Sequence, residues 1–131
     1  MNRLRCGIIG FDFGHQGAFA GSFAKMDEVQ IVGAADLPDA PDEARARGWE
    51  FAHGCGVEYF EDYTDLLAAQ ELDLVSLCIT PERNPDLVEE MCARGVHVMS
   101  EKPISADTAG AERIAKAVRF ASLFMISFPN G

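Results

Sequence analysis

Basic side chains are scarce in this chain: 11 Lys and Arg stand against 21 Asp and Glu, a formal net charge of −10. No basic patch is available to release counterions from phosphates, so nucleic acid and anionic membrane surfaces are not expected partners. The acids gather in residues 36–43, 58–65 and 82–90, which read as solvated helix faces and loops. No apolar stretch is long enough for a transmembrane helix. The opening residues 1–10 are basic and then apolar, but the apolar core is too short for a signal peptide and runs into a glycine turn, so a first strand of a cytoplasmic protein is expected. CxxC spacing is missing. Cys6, Cys55, Cys78 and Cys92 read as reduced, mostly buried thiols, and His15, His53 and His97 are too scattered to suggest a metal site. Repeats, low-complexity tracts and linkers are absent too, which leaves one domain over residues 1–131.

What is present is a regular alternation. Apolar strands are expected over residues 3–9, 29–35, 57–60, 72–79, 96–100 and 123–128. Between them lie helical patterns: one through Phe19, Phe23 and Met26, then 40–52, 63–69, 85–94 and 105–119, with Gly95 placed as a C-cap. Near-continuous apolar strands joined by amphipathic helices imply an α/β, three-layer α-β-α fold. Its six-stranded, doubly wound, mostly parallel sheet would follow the Rossmann order 3-2-1-4-5-6. Phe120, Phe124 and Phe128 crowd the last residues, as if apolar surface there awaits a covering.

A dinucleotide site needs a glycine turn after strand one, the amino end of a helix for the pyrophosphate, and an acid closing strand two. Here the turn holds Gly10, Phe11, Asp12, Phe13, Gly14 and His15, with Gly17 beyond. Gly10 fits the first glycine of the fingerprint, but Asp12 and His15 occupy the second and third places. Gly14 and Gly17 suit close backbone approach and tight helix–sheet packing. Asp12 either caps the helix at the amides of Gly14 or His15, taking donors a phosphate would use, or turns away. Two unit charges about 4 Å apart repel by roughly 1 kcal/mol in water and about 4 at intermediate dielectric, so Asp12 is expected to weaken binding unless displaced or paired. Asp36 closes strand two, 26 residues beyond Gly10. It reads either as a turn or cap residue before Pro38, or as the acceptor for adenosine ribose hydroxyls that favours NAD over NADP.

Glu101-Lys102-Pro103 ends strand five, on the edge where open α/β sheets bind ligands. It is either a surface ion pair stopped by a helix-start proline, or a lysine aimed by that proline into a site.

Taken together, Gly7-Ile8-Ile9-Gly10, Val32-Gly33-Ala34-Ala35-Asp36, Tyr59-Phe60-Glu61-Asp62-Tyr63, the segment from Asp73 to Thr80-Pro81, and the segment from Gly95 to Glu101-Lys102-Pro103-Ile104-Ser105 resemble the amino-terminal domain of the Gfo/Idh/MocA oxidoreductases. The resemblance implies an NAD-binding Rossmann domain, with NADP less expected. It places Lys102 at the reacting substrate hydroxyl as a catalytic group, Glu101 and Pro103 beside it, and Thr80 and Pro81 along the cofactor. It further implies an α+β domain, toward which residues 122–131 lead, that encloses a small-molecule substrate, and a homo-oligomer for the complete protein. Two departures stand out: Pro85 where many members carry histidine, and Asp12 and His15 in the loop. A non-catalytic Rossmann nucleotide-binding or interaction module is the competing reading.

Overall fold

Strands apolar on both sides must be covered on both faces. The computed structural model, which describes residues 3–13, 15–101, 103–121 and 125–127, has that arrangement. The elements run β1 (Leu4–Ile9), α1 (His15–Ala24), β2 (Val29–Ala35), α2 (Asp42–Cys55), β3 (Tyr59–Phe60), α3 (Tyr63–Ala69), β4 (Leu74–Leu77), α4 (Asn84–Ala93), β5 (His97–Ser100), α5 (Thr108–Ala121) and β6 (Met125–Ser127). The six strands form one sheet in the order β3-β2-β1-β4-β5-β6, and every pairing is parallel. The expected α/β Rossmann class and strand order are therefore present.

The side-chain alternation of β1 splits the core between the two faces. Cys6 and Ile8 join Phe11, Ala20, Phe23, Ala34, Ala44 and Ala52 beneath α1 and α2. Ile9 joins Leu66, Val75, Leu77, Leu87, Val88, Met91, Val98 and Ile114 beneath α3, α4 and α5. Each fully buried Leu, Ile or Met of this kind stabilises the fold by about 1.5–3 kcal/mol before entropy is counted. All four cysteines are free, and only Cys55 is exposed.

Element ends differ from the sequence reading where a local hydrogen bond takes the backbone elsewhere. Pro41 is extended and acts as N-cap, so α2 starts at Asp42; it continues to Gly56, in the left-handed region, whose turn returns the Val57 amide to the Ala52 carbonyl at 3.0 Å. That bond withdraws residue 57 from the sheet, and β3 shrinks to two residues. Asp107 caps α5 through the Gly110 amide at 2.7 Å, which moves its start from 105 to Thr108. Beyond α4, Gly95 has φ 77° and the Val96 amide returns to the Met91 carbonyl at 2.9 Å, the Schellman closure expected of a glycine there.

At Gly10 both the backbone angle and the neighbouring backbone rule out a side chain. Its φ is 93°, and a Cβ would stand 2.5 Å from the Cys78 carbonyl oxygen and 2.4 Å from Ile79 Cγ2. Gly17 is the opposite case: a Cβ would meet nothing within 4 Å, so this residue is not the packing glycine its place suggested. Gly10→Ala is expected to destabilise the chain by about 2 kcal/mol or more, whereas Gly17→Ala should be neutral or stabilising by up to about 1 kcal/mol. Urea unfolding of the two variants beside wild type checks both signs.

Candidate cofactor site

The parallel sheet brings the loops after β1, β2, β4 and β5 to one edge, with the strand order reversing between β1 and β4. At that switch point the chain leaves β1 through Gly10, whose amide bonds the Ala35 carbonyl at 2.8 Å while the Cys78 amide bonds the Ile9 carbonyl at 3.0 Å. The close approach of the two loops is thus held from both sides, and α1 begins just beyond, at His15.

Asp36 lies under this loop, fully buried. One carboxylate oxygen accepts the Phe11 amide at 2.9 Å and the other accepts the Tyr59 hydroxyl at 2.5 Å. The space above it exists because α2 carries Gly48, where a Cβ would stand 2.9 Å from Asp36 Oδ2 and 2.8 Å from the Phe11 ring. Burial pushes the Asp36 pKa up to about 6; the Tyr59 hydroxyl and the Phe11 amide hold it down, the nearby Asp12 charge adds to the rise, and Arg45 opposes it. Burial and the bond to Asp36 likewise push the Tyr59 hydroxyl well above its ordinary range. Asp36 therefore spends both oxygens inside the protein, shaping the glycine loop through Phe11.

Two arginines of α2 brace the neighbouring loops. The Arg47 guanidinium donates to the Phe11 carbonyl at 2.6 and 2.9 Å and to the Asp12 carbonyl at 3.0 Å. Arg45 donates to the Ala40 carbonyl at 3.2 Å and to that of Pro38, and pairs with Glu61 at 3.4 Å. Asp12 itself is half-buried, and that burial raises its pKa; a hydrogen bond from the Thr80 backbone amide, across the crevice, is the main opposing influence, followed by Arg47 and Arg83. Thr80 thus meets the glycine loop, and its carbonyl accepts the amides of Arg83 and Asn84, both at 3.1 Å, to start α4. Cys78, buried between the loops, feels the charges of Glu101 and Asp12, and burial pushes its thiol up to about 12, so it is no nucleophile at neutral pH.

The turn after β5 is fastened at its flanks. The Glu101 amide bonds the Leu77 carbonyl at 2.9 Å. Asn84, buried at the start of α4, donates to Ser100 Oγ and to the Ile104 carbonyl, both at 2.9 Å. Glu101 is partly buried and Pro103 exposed. Gly14, Lys102 and the side chain of His15 lie outside the described residues. Of the residues expected at the site, Gly10, Phe11, Asp12 and Thr80 meet at the switch point, Pro81 follows on the same loop, Phe13 is exposed beside them, and Glu101 neighbours Cys78.

Sequence reasoning missed Arg45, Arg47, Tyr59, Asn84 and Gln16. Gln16 is buried, donating to the Ile9 and Ser76 carbonyls at 3.3 and 3.1 Å and accepting from Ser76 Oγ at 2.9 Å, which pins α1 to β1 and β4. The signal for Gln16 was available: a polar residue at the i, i+4, i+7 face shared by Ala20 and Phe23. The arginines carried no such signal, since polar residues on an Ala/Arg/Glu-rich helix read as solvated.

Asp36 also sets a pH dependence. Its folded pKa of about 6 exceeds the ordinary 3.8, so between those values the folded state holds more protons than the unfolded one. Its contribution to stability therefore falls as pH rises from about 4 to about 6 and is level above that. Asp36→Asn should gain stability relative to wild type across this window, and Tyr59→Phe should push the carboxyl higher still. Denaturation between pH 4 and 7, with carboxyl NMR of Asp36, measures both.

The described geometry is that of a known family. The family model described as oxidoreductase family, NAD-binding Rossmann fold, the Gfo/Idh/MocA group, matches residues 4–127. Similar solved structures include a UDP-N-acetylglucosamine 3-dehydrogenase from Acidithiobacillus ferrooxidans, 26% identical with TM-score 0.78, covering 97% of this chain and 38% of that one. The WlbA dehydrogenase from Bordetella pertussis, solved with NADH and UDP-GlcNAcA, is 20% identical with TM-score 0.82, covering 97% and 37%. A myo-inositol 2-dehydrogenase from Lactobacillus plantarum is 19% identical with TM-score 0.80, covering 97% and 36%. No curated protein sequence matches the chain. The chain spans little more than a third of the length of these three proteins. By fold, by switch-point geometry and by a family match over nearly its whole length, this chain belongs to the Gfo/Idh/MocA oxidoreductases, as an NAD-binding Rossmann domain.

Proposed function

We propose that the domain binds NAD in the crevice between the β1 and β4 loops and serves a dehydrogenase that moves hydride between nicotinamide and a sugar, polyol or related hydroxy compound. The observation that carries this reading is the switch-point turn at Gly10, closed against the Cys78 carbonyl and leading directly into the amino end of α1. Open space beside Gly17 in the first turn of α1 leaves room for a bound group there. The loop from Gly10 to His15 would hold the pyrophosphate through its amides, with Asp36 and Arg47 fixing the loop's shape beneath it. Thr80 and Pro81 would line the cofactor, and Glu101, Lys102 and Pro103 would border the reacting end. The nicotinamide, when bound, accepts or returns the hydride. Lys102 would orient the substrate hydroxyl and stabilise its oxyanion character as the hydride departs. Sugar and inositol dehydrogenases among the structural neighbours support the substrate class. Substrate enclosure and assembly of subunits would then fall to the two-thirds of length that such proteins have and this chain does not span.

A second reading, a Rossmann module that binds nucleotide without catalysis, draws on the inward-turned Asp36 and on Asp12 in the crevice. Calorimetry with NADH tests the first requirement: saturable one-to-one binding is expected, and no binding overturns the proposal. Asp12→Asn removes a charge beside the expected pyrophosphate and should tighten NADH by about tenfold, less at high salt. Unchanged or weaker affinity would show that Asp12 does not oppose the phosphate. Whether catalysis follows is decided by Lys102→Ala in a chain carrying a substrate domain. A fall in kcat of about a hundredfold or more, with NADH affinity kept, supports the dehydrogenase reading over the module.

A further inference from the structure

Asp36, the acid that closes β2, is fully buried and holds the Phe11 amide and the Tyr59 hydroxyl, so reaching a ribose would require it to abandon two internal hydrogen bonds. Another acid stands three residues further on. Asp39 lies in the turn between β2 and α2 with 71% of its side chain exposed, and it is ion-paired with Arg83, which immediately precedes α4. The two belong to the loops after β2 and β4, the strands that flank β1 in the sheet, so the pair spans the carboxyl end of β1 and the glycine loop. Asp12, in the glycine loop, feels both charges, so the pair lies near it. The turn that carries Asp39 is held from α2 by Arg45, through the carbonyls of Pro38 and Ala40.

In an open sheet of this order the pyrophosphate lies at the amino end of α1 and the adenosine extends toward β2. The geometry points to the Asp39–Arg83 pair as the element that reads the adenosine ribose: Asp39 accepts the ribose hydroxyls, and Arg83 holds Asp39 in place over the crevice. This assignment rests on the cofactor reading above and names the residues that set its preference for NAD. An exposed ion pair contributes little to stability, so a ligand hydroxyl can share the Asp39 carboxylate at small cost. A 2′-phosphate, by contrast, would bring about two negative charges against Asp39 with Asp12 nearby, and is disfavoured. Were the pair only a surface bridge, its loss would leave the cofactor preference alone.

The experiment compares NADH and NADPH affinity, by calorimetry at fixed salt, in wild type, Asp36→Asn, Asp39→Asn and the double variant Asp39→Asn, Arg83→Met. Wild type should favour NADH. Asp39→Asn should shift the NADPH-to-NADH affinity ratio by about tenfold or more toward NADPH, because Arg83 is then free to take the 2′-phosphate. Adding Arg83→Met should cancel that gain, while Asp36→Asn should weaken both cofactors alike through the loop. A ratio that moves with Asp36→Asn and stays with Asp39→Asn overturns the assignment and leaves the cofactor site standing. A gain that survives Arg83→Met overturns the part given to Arg83. Wild type that binds neither dinucleotide overturns the cofactor reading and this assignment together.

Discussion

The carboxylate of Asp36 joins three pieces of chain that are far apart in sequence: the end of β2, the Phe11 amide in the glycine loop, and the Tyr59 hydroxyl at β3. An ionised carboxylate is costly to bury, and two strong donors are what make the burial tolerable. Phe11 can fill the core under α2 because its amide is taken there, and α2 can come close because Gly48 leaves the space for Tyr59, Phe11 and Asp36. The loop that meets the switch point has its shape from this knot. Its raised pKa records that donors offset the burial only in part.

Around the knot, α2 works as a brace. Arg45 and Arg47 are two residues apart on the helix, and they grip the carbonyls of two different loops, 38–40 and 11–12. Backbone carbonyls in tight turns need donors when water is kept away, and a guanidinium with five N–H groups can serve several of them at once. The loops after β1 and β2 are therefore both held to one helix. Asp12 there feels the charges of Arg47, Arg83 and Asp39.

Much of the fold could be read from local pattern. Apolar runs of strand length between helical periodicities specify a parallel sheet, and the observed order is the one such alternation favours. Gly10 was legible because its φ of 93° and its contact with the loop after β4 belong to a turn whose chemistry is written in neighbouring residues. The shortened β3 and the displaced start of α5 were less legible, since they depend on which local hydrogen bond wins, and α2 starts at Asp42 because the extended Pro41 precedes it. Gly17 invited the wrong role: the same residue type stands for close packing or for open space, and only the neighbours decide which.

By itself the sequence determined the fold class, the strand order and the edge of the sheet where the candidate site lies, because periodicity and turn chemistry act over a few residues. It could not say where side chains aim once the edge is formed. Asp36 sits at the end of β2 in either reading, yet it turns inward to Tyr59, 23 residues away, while Asp39 reaches Arg83 across 44. Those contacts are set by how tightly α2 packs over Gly48 and by which loops flank β1, properties of the assembled sheet that no short window of sequence contains.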